Sequence, residues 1–221
     1  TLIGVVMSIV RYRSEKKKYK EKEKLRLDKY EKYLSEQEQT IEQYIQKQQK
    51  ILVSDNPSVS QCMHIASGPD RTLWDRRIYD TDFMSLRIGK GAIPAAVKIK
   101  TPKQVVSLEV DMLASRPAQI AEKYTHVKNC PIVIDLGQKT TCGVIGKRKE
   151  SVSLGKNLIV QAATHHSYRD LRIVVICDPD ERDMWSFCRW LPHLFDDTRS
   201  IRYFADTPQQ AQKMLNQLTD T

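Results

Sequence analysis

Residues that break helices are scarce in this sequence. It contains 8 glycines and 9 prolines among 221 residues, and neither type occurs between Ser14 and Val53. Glu, Lys and Gln dominate that stretch, so its composition predicts one long helix. A long apolar run is also missing at the start, since the uncharged segment at residues 1–10 has about half the length that a bilayer-spanning helix needs.

Clustered metal ligands are missing as well. The cysteines form an odd set without C-x-x-C spacing, namely Cys62, Cys130, Cys142, Cys177 and Cys188. A zinc site needs Cys and His ligands close together, and the sequence shows no such cluster. Thiols in apolar, strand-like surroundings act as small hydrophobic groups. This usage indicates a reduced, cytosolic compartment and predicts no metal site.

Positive charge is in excess and unevenly placed. The formal charge is +9; residues 1–53 carry 13 Lys/Arg and 8 Asp/Glu, whereas residues 54–221 carry 23 and 19. A basic balance can indicate nucleic-acid binding. Here the densest basic run, residues 11–24, directly follows the apolar segment, which indicates an anionic membrane surface instead.

The order of apolar and basic residues argues against a signal peptide, whose positive charges precede its apolar core. In this chain the charges follow residues 1–10. We therefore expect residues 1–10 to be the C-terminal end of a transmembrane helix in a longer protein. The basic flank then predicts that residues 11–221 lie on the cytoplasmic side of the cell membrane. A short buried or amphipathic N-terminal helix in a soluble protein is the alternative.

Residues 11–53 are predicted to form a basic helical stalk. Apolar and Gln side chains recur at a 3–4 spacing along one seam, which consists of Leu27, Tyr30, Leu34, Gln37, Ile41, Tyr44, Gln48 and Ile51. Because two of these eight are Gln, the pattern is typical of a weak coiled coil or of a helix packed on its own domain. Over the first twenty residues a solvated single helix is an equal alternative.

Residues 54–221 alternate between strand and helix patterns after an irregular arm at residues 67–91. Strands are predicted at residues 92–100, 105–110, 131–136, 141–145, 171–177 and 201–205, and helices at 58–66, 116–126, 151–165, 181–191 and 208–218. This alternation predicts an α/β domain with a mostly parallel sheet flanked by helices. The most apolar strand, residues 171–177, is expected at the centre of the sheet.

The stretch at residues 140–164 has the outline of a phosphate-binding loop followed by a helix. Such a P-loop needs G-x-x-x-x-G-K-[ST], with glycines that let the backbone curl around phosphate and a hydroxyl for Mg²⁺. Thr141 replaces the first glycine and Arg148 replaces the hydroxyl. The candidate residues of this degenerate loop are Gly143, Gly146, Lys147 and Arg148. A charged surface turn is the alternative, and Gly143 and Gly146 then serve a tight strand-to-helix turn.

The end of the predicted central strand departs from the pattern of nucleotide hydrolases too. Asp178 stands where P-loop enzymes hold a metal-coordinating acid, but Pro179 follows in place of a catalytic glutamate. No Ser or Cys lies in a recognisable nucleophile elbow. We therefore expect no catalytic residue in this chain and no ordinary ATP hydrolysis by it.

Three motifs follow one another between residues 71 and 193. The arm contains Leu-Trp-Asp-Arg-Arg at 73–77, Asp-Thr-Asp-Phe at 80–83 and Leu-Arg-Ile-Gly-Lys-Gly at 86–91. This run is similar to the LWERR…DPDFL…RIGxG segment of the EssC/EccC proteins, the membrane-anchored FtsK/SpoIIIE-family ATPases of type VII secretion. Residues 142–148 resemble their GxxGPR turn, with Lys147 in place of Pro, and residues 185–193 resemble their WDWLKWLPH motif.

The resemblance implies the membrane-proximal cytoplasmic domain that precedes three tandem ATPase domains, with a P-loop-ATPase-like fold. It implies a coupling role, in which motion of the downstream domains, whose relatives hexamerise, reaches the membrane channel. ATP and Mg²⁺ are implied for those domains, and no cofactor for this fragment. The implied partners are other secretion-system membrane components, the protein's own downstream ATPase domains, further copies in a hexamer, and the lipid membrane through residues 1–24. A weakly active nucleotide-binding domain and a DNA translocase of the same broad family are the alternatives, although no nucleic-acid partner is expected.

The arm and the Trp-rich motif supply candidate structural and interface residues. These are Trp74, Arg76, Arg77, Asp82, Phe83, Trp185, Trp190, Pro192 and His193. Aromatic side chains can anchor an irregular segment to a core, and Arg–Asp pairs can fix its path. We expect residues 190–193 to pack against the arm at residues 74–77; simple coverage of one sheet face is the alternative.

Overall fold

The computed structural model describes residues 2–102, 112–139 and 141–219 of the chain. Its helices are α1 (Leu2–Asp55), α2 (Val59–Ser67), α3 (Met112–Lys123), α4 (Arg148–His165), α5 (Arg182–Trp185) and α6 (Pro208–Thr219), and its strands are β1 (Ser85–Pro94), β2 (His126–Asp135), β3 (Val175–Ile176) and β4 (Phe204–Ala205). Short 3₁₀ turns cover Pro179–Glu181, Ser186–Trp190 and Pro192–Leu194. The strand predicted at residues 105–110 lies outside the described residues.

The chain divides into two compact units. The first unit contains Thr1–Leu52 and Ala92–Cys130, and the second contains Val53–Gly91 and Pro131–Thr221. Each unit therefore combines two separate stretches of sequence. The division into membrane end, stalk and α/β domain stays a prediction.

A single long helix, α1, begins the chain, as the lack of Gly and Pro predicts. It runs for 54 residues, which corresponds to about 80 Å at 1.5 Å per residue. It begins well before Ser14, where the composition places its start. Within the described residues, no helix is both long enough and apolar enough to cross a membrane. The transmembrane character of residues 1–10 therefore stays a prediction.

One side of α1 packs within the first unit. Leu34 is buried on that side, and one turn later the Glu38 carboxylate accepts hydrogen bonds from Lys123 Nζ at 2.7 Å and Tyr124 Oη at 3.3 Å. The predicted seam has Gln37 at this level instead. The difference arises because a helix with 3.6 residues per turn drifts away from a strict seven-residue repeat.

Gln48, one of the two glutamines in the predicted seam, has specific hydrogen-bond partners. Gln48 Oε1 accepts a hydrogen bond from the Ala96 N–H at 2.9 Å, and its Nε2 donates to the Pro94 carbonyl at 3.3 Å. A coiled-coil partner helix offers no free backbone groups of this kind. Of the two possibilities that the seam leaves open, a helix packed on its own domain therefore agrees better with the contacts of α1.

Two predicted elements of the first unit are misplaced. The helix predicted from residue 116 starts earlier, and Pro117 lies inside α3, where its ring removes one backbone donor. The strand predicted at residues 92–100 ends at Pro94 as part of β1, and a proline without an N–H is suited to the end of a strand. Ile120 and Val127 are buried in this unit.

The second unit contains a small parallel sheet. β3 and β4 pair in register, with Val175 opposite Phe204 and Ile176 opposite Ala205. Val175 belongs to a buried apolar cluster with Cys188 and Leu194, and Ile159 of α4 packs against this cluster. Gly155 lets Trp185 approach α4, because a Cβ at that position would lie 2.9 Å from the indole Cη2.

Three predicted elements of the second unit are wrong in extent. The central strand at residues 171–177 shortens to β3, since Leu171 N–H bonds within a turn and Ile173 N–H donates to the His193 carbonyl instead of to a ladder. The helix at residues 181–191 is α5 followed by a 3₁₀ turn. Residues 141–145 form no strand and are exposed, and none of the described strands pairs with them.

The fold class is confirmed at a coarse level. The structure mixes helices with small sheets and has the long N-terminal helix. The described strands form two separate two-stranded sheets, β1–β2 and β3–β4. A larger, mostly parallel sheet of the P-loop-ATPase type is therefore not confirmed.

Candidate functional site

The C-terminal end of α4 is capped by the arm. A helix leaves its last four carbonyls without intrahelical partners, and in α4 these belong to Ala162, Ala163, Thr164 and His165. Trp74 Nε1 donates to the Ala163 carbonyl at 3.0 Å, and the Trp74 backbone N–H donates to the Thr164 carbonyl at 2.9 Å. One residue therefore satisfies two of the four acceptors.

Arg76 completes the cap and ties three further segments to it. Its backbone N–H donates to the His165 carbonyl at 3.1 Å. Its guanidinium donates at 2.5 Å each to the carbonyls of Ser85 and Asp55, and it pairs with the Asp82 carboxylate at 3.1 Å. The residue is only 6% exposed. All three guanidinium nitrogens are thus used, and they hold the last turn of α1, the arm and the first residue of β1.

His166 fixes the end of the arm as a neutral ring. Its Nδ1–H donates to the Ala162 carbonyl at 2.9 Å, and its Nε2 accepts the Met84 N–H at 2.9 Å. This pair of contacts requires the tautomer with the proton on Nδ1. Phe83 packs edge-on against the ring with centroids 4.8 Å apart. Trp74 and Met84, at the two ends of this contact region, are both in the left-handed conformation, with φ of 60° and 57°.

The Trp-rich motif contributes one of its members to this junction. His193 is buried, donates from Nε2 to the His166 carbonyl at 2.8 Å, and lies 6.4 Å from the Trp74 ring. Pro192 begins the short turn that carries it. Trp190, in contrast, is 86% exposed, and Trp185 packs on α4 at Gly155. Of the predicted interface residues in this motif, His193 therefore lies at the junction, Trp190 lies at the surface and Trp185 packs on α4.

Arg77 stays at the surface beside the junction. Its guanidinium lies 3.6 Å from Asp170 and is 65% exposed, while its N–H donates to Asp80 Oδ2 at 2.7 Å. An exposed pair of this kind adds little stability. Arg77 thus differs sharply from its neighbour Arg76, although the sequence presents the two as equivalent.

Gln161 makes a buried contact that the sequence does not predict. Its side chain pairs with the backbone of Arg87 on β1, accepting the N–H and donating to the carbonyl at 2.8 Å each. The Gln161 amide therefore occupies the hydrogen-bonding groups of Arg87 that a residue on a neighbouring strand would otherwise bind. A polar residue followed by the apolar pair Ala162 and Ala163 on a helix is the signal that could have identified it, because a buried amide must find partners.

Burial keeps the histidines of the junction neutral. Burial, reinforced by the charge of Arg76, lowers the pKa of His165 to about 3. Burial likewise lowers the pKa of His166 and of His193. These rings therefore act as packed hydrogen-bonding groups at neutral pH.

The degenerate phosphate loop lies at the opposite end of α4. Gly143, Gly146, Lys147 and Arg148 are all exposed, and Lys147 is the N-cap residue of α4 without a side-chain capping bond. Arg148 forms a two-pronged ion pair with Glu181. Its guanidinium is thus already paired with a carboxylate.

A cleft of about 720 Å³ adjoins this loop. Its lining consists of residues 174–178 together with Arg148, Ile159, Asp180, Glu181 and Trp185. Three carboxylates against one arginine disfavour a phosphate here. Among the described residues no group of three or more His, Cys, Asp or Glu could hold a metal ion.

Comparisons with known proteins place the chain beside bacterial secretion proteins. It is 30% identical over 190 residues to the ESX secretion system protein EccC of Geobacillus thermodenitrificans, 26% over 192 residues to YukB of Bacillus subtilis, and 25% over 216 residues to the type VII secretion system protein EssC of Staphylococcus aureus. The matches cover 86%, 86% and 98% of this chain, but only 13%, 13% and 14% of the relatives. No protein-family model matches the chain. The relatives confirm the resemblance that the motifs carry.

Replacement of Trp74 tests whether the arm stabilises α4. We expect Trp74→Ala to lower the free energy of unfolding by about 3–5 kcal/mol, because it removes a large packed side chain and one of the capping bonds. Trp190→Ala, a change of the same size at an exposed position, should cost about 0.5 kcal/mol or less. Urea unfolding of both variants measures the difference. Equal stabilities would show that the arm is only a surface covering.

The lowered histidine pKa values predict acid sensitivity. An unfolded histidine binds a proton below about pH 6.5, whereas the buried rings bind one less readily and His165 does so only near pH 3, so their contribution to stability is complete above about pH 6.5 and is lost as the pH falls below it. His165, whose folded pKa is about 3, therefore contributes a loss of up to about 1.4 kcal/mol per pH unit below about pH 6.5. Unfolding free energies between about pH 7.5 and pH 5 should therefore fall less steeply in His165→Gln than in the unchanged chain. The exposed His64→Gln serves as the control and should keep the full slope.

Proposed function

Because the chain is homologous to one segment of the type VII secretion ATPases EccC, YukB and EssC, we propose that it is their membrane-proximal coupling segment. In this role it links the transmembrane helices to the downstream FtsK/SpoIIIE-type ATPase domains. It transmits displacements between them and hydrolyses no nucleotide itself. The chain spans 13–14% of the length of these relatives, so the ATPase activity, with its ATP and Mg²⁺, is assigned to the rest of the protein.

The junction around Arg76 is the observation that supports coupling most directly. The guanidinium holds the last turn of α1 at Asp55, while the Arg76 backbone N–H holds the end of α4 at His165. A shift of that last turn breaks these short bonds or moves α4 with it. Since α4 packs on the β3–β4 sheet through Ile159, the displacement reaches the interior of the second unit.

The proposed partners follow the two ends of the segment. Residues 1–24 join the membrane, with the basic residues between Arg11 and Lys24 at anionic lipid headgroups, and residues 11–221 lie on the cytoplasmic side. Other membrane components of the secretion system, the downstream ATPase domains and further copies in a hexamer are the protein partners. DNA is not a partner in this proposal, and steeply salt-dependent DNA binding would support the DNA-translocase alternative instead.

We also propose that the second unit descends from a P-loop domain whose site no longer works. The order α4, β3 and the parallel pairing of β3 with β4 agree with such an origin. Asp178 follows β3 directly, but its carboxylate caps the turn by accepting the Asp180 N–H at 3.1 Å. Asp178 thus stands where P-loop enzymes hold a metal-coordinating acid, but its carboxylate binds a backbone N–H.

Replacement of Arg76 in a full-length secretion ATPase tests the coupling role. We expect Arg76→Met to abolish secretion while the ATPase rate of the downstream domains persists, because the link between α1 and α4 is lost and the catalytic sites are untouched. Arg77→Ala, at the neighbouring exposed arginine, is the matched control and should secrete normally. Secreted substrate and ATP turnover are measured at equal protein abundance.

Loss of the buried arginine also leaves carbonyl groups unpaired, so folding has to be separated from coupling. Asp82→Asn keeps the carbonyl bonds of Arg76 and weakens only its ion pair, and it should reduce secretion less than Arg76→Met. Normal secretion by Arg76→Met at normal abundance would rule out the junction as the coupling element.

A calorimetric titration with Mg-ATP tests the nucleotide-binding alternative. We expect no saturable heat from this chain at cellular nucleotide concentrations, because Arg148 is paired with Glu181 and the cleft is acidic. Glu181→Gln, which frees Arg148, should bind phosphate groups better than the unchanged chain. Tight binding by the unchanged chain that disappears in Lys147→Ala would establish the alternative.

A further inference from the structure

One edge of β3 is not covered by β4. The N–H groups of Val175 and Cys177 donate to carbonyls on the β4 side, at Tyr203 and Ala205. Successive N–H groups of a strand point to opposite sides, so the N–H of Ile176 points away from β4. Among the residues that the structure describes, no strand pairs with β3 on that side. A strand edge of this kind is a template for an added strand.

The cleft of about 720 Å³ lies along this edge. Its lining includes residues 174–178 and no residue of β4, so it is on the uncovered side of β3. Ile159 and Trp185 supply apolar surface beside the strand. Volumes of about 300–1,000 Å³ are usual for ligand sites. The cleft therefore has room for a short segment and offers it both backbone groups and apolar contact area, as sites that bind extended peptides do.

The carboxyl end of β3 gives the cleft a negative charge. The lining has three carboxylates and one cation, namely Asp178, Asp180, Glu181 and Arg148. Arg148 is already paired with Glu181, which leaves the charges of the two aspartates in excess. Burial and then nearby carboxylates raise the pKa of the Cys177 thiol, in agreement with a negative potential here. Charge complementarity therefore selects a ligand that is cationic at this end of the cleft.

We propose that the cleft binds an extended, basic peptide segment of a partner protein, which adds as a strand to the free edge of β3. The backbone of the segment pairs with the outward N–H and carbonyl groups of Ile176. Side chains alternate between the two faces of a strand, so apolar ones contact Ile159 and Trp185 while a Lys or Arg lies beside Asp178 and Asp180. A sequence that alternates apolar and basic residues fits both surfaces. This inference is independent of the coupling role.

Fluorescence anisotropy with the full chain and short labelled peptides tests the proposal. We expect saturable binding of a fluorescein-labelled hexapeptide of alternating valine and lysine. The matched peptide of valine and glutamate should bind at least about tenfold more weakly, because the carboxylates of the cleft repel it. N-methylation of alternate backbone nitrogens in the basic peptide should also weaken binding about tenfold, since it removes strand-pairing donors at unchanged charge.

Two pairs of variants assign the binding to the cleft. Asp180→Asn should weaken binding of the basic peptide about threefold, whereas Asp183→Asn, the same change at an exposed residue outside the lining, should alter it less. Ile176→Pro removes the outward N–H, a replacement that edge strands tolerate, and should weaken binding about tenfold. Ile176→Ala keeps that N–H and should weaken binding less. Circular dichroism checks that each variant is folded.

Several outcomes would contradict a basic strand in this cleft. Equal affinity for the two peptides of opposite charge would overturn the proposal, and so would unchanged affinity after N-methylation. Lack of saturable binding by the unchanged chain at about 1 mM peptide would overturn it as well. A second copy of the chain would be the occupant instead if the unchanged chain sediments as an oligomer and Ile176→Pro as a monomer.

Discussion

Four backbone carbonyls at the end of α4 are the constraint on which the second unit depends. Helix ends that are buried must find hydrogen-bond donors, and α4 lacks the glycine cap that would turn the chain back on itself. Trp74 and Arg76, far away in sequence, supply the donors for three of them, and His166 supplies those for the fourth, the Ala162 carbonyl. The arm, the last turn of α1 and the start of β1 are therefore assembled around one helix terminus, and loss of Trp74 or Arg76 removes donors from its carbonyls.

The two ends of α4 differ in chemistry. At the C-terminal end, one buried cation, Arg76, is surrounded by carbonyls, a carboxylate and neutral histidines. At the N-terminal end, Arg148 is bound to Glu181 beside an open acidic cleft. The dipole at the N-terminal end of α4 could attract phosphate, but the neighbouring carboxylates repel it. The C-terminal end, in contrast, is fixed by several short hydrogen bonds. Hydrogen bonds to other segments are thus concentrated at one end of this helix, and an open cleft adjoins the other.

The sequence allows the long helix, α2, α4 and α6 to be predicted, because missing helix breakers and capping residues act locally. Residues 141–145 and 171–177 show where such reasoning stops: an apolar run has strand propensity, but a strand forms only where another chain segment pairs with it. Arg76 and Arg77 are adjacent and chemically identical, and only the tertiary structure distinguishes the buried one. Gln161 serves β1 through contacts 74 residues apart, which no local pattern records.

The left-handed conformations of Trp74 and Met84 have a consequence for how the arm detaches. A residue with a side chain pays about 1–3 kcal/mol to remain there, so the bound path of the arm is opposed at both ends by its own backbone. Release of Trp74 from α4, or of Met84 from His166, relieves the strain at that end. The hydrogen bonds and packing of the arm therefore hold it against its own backbone preference, and either end detaches at a lower cost than its contacts alone would indicate.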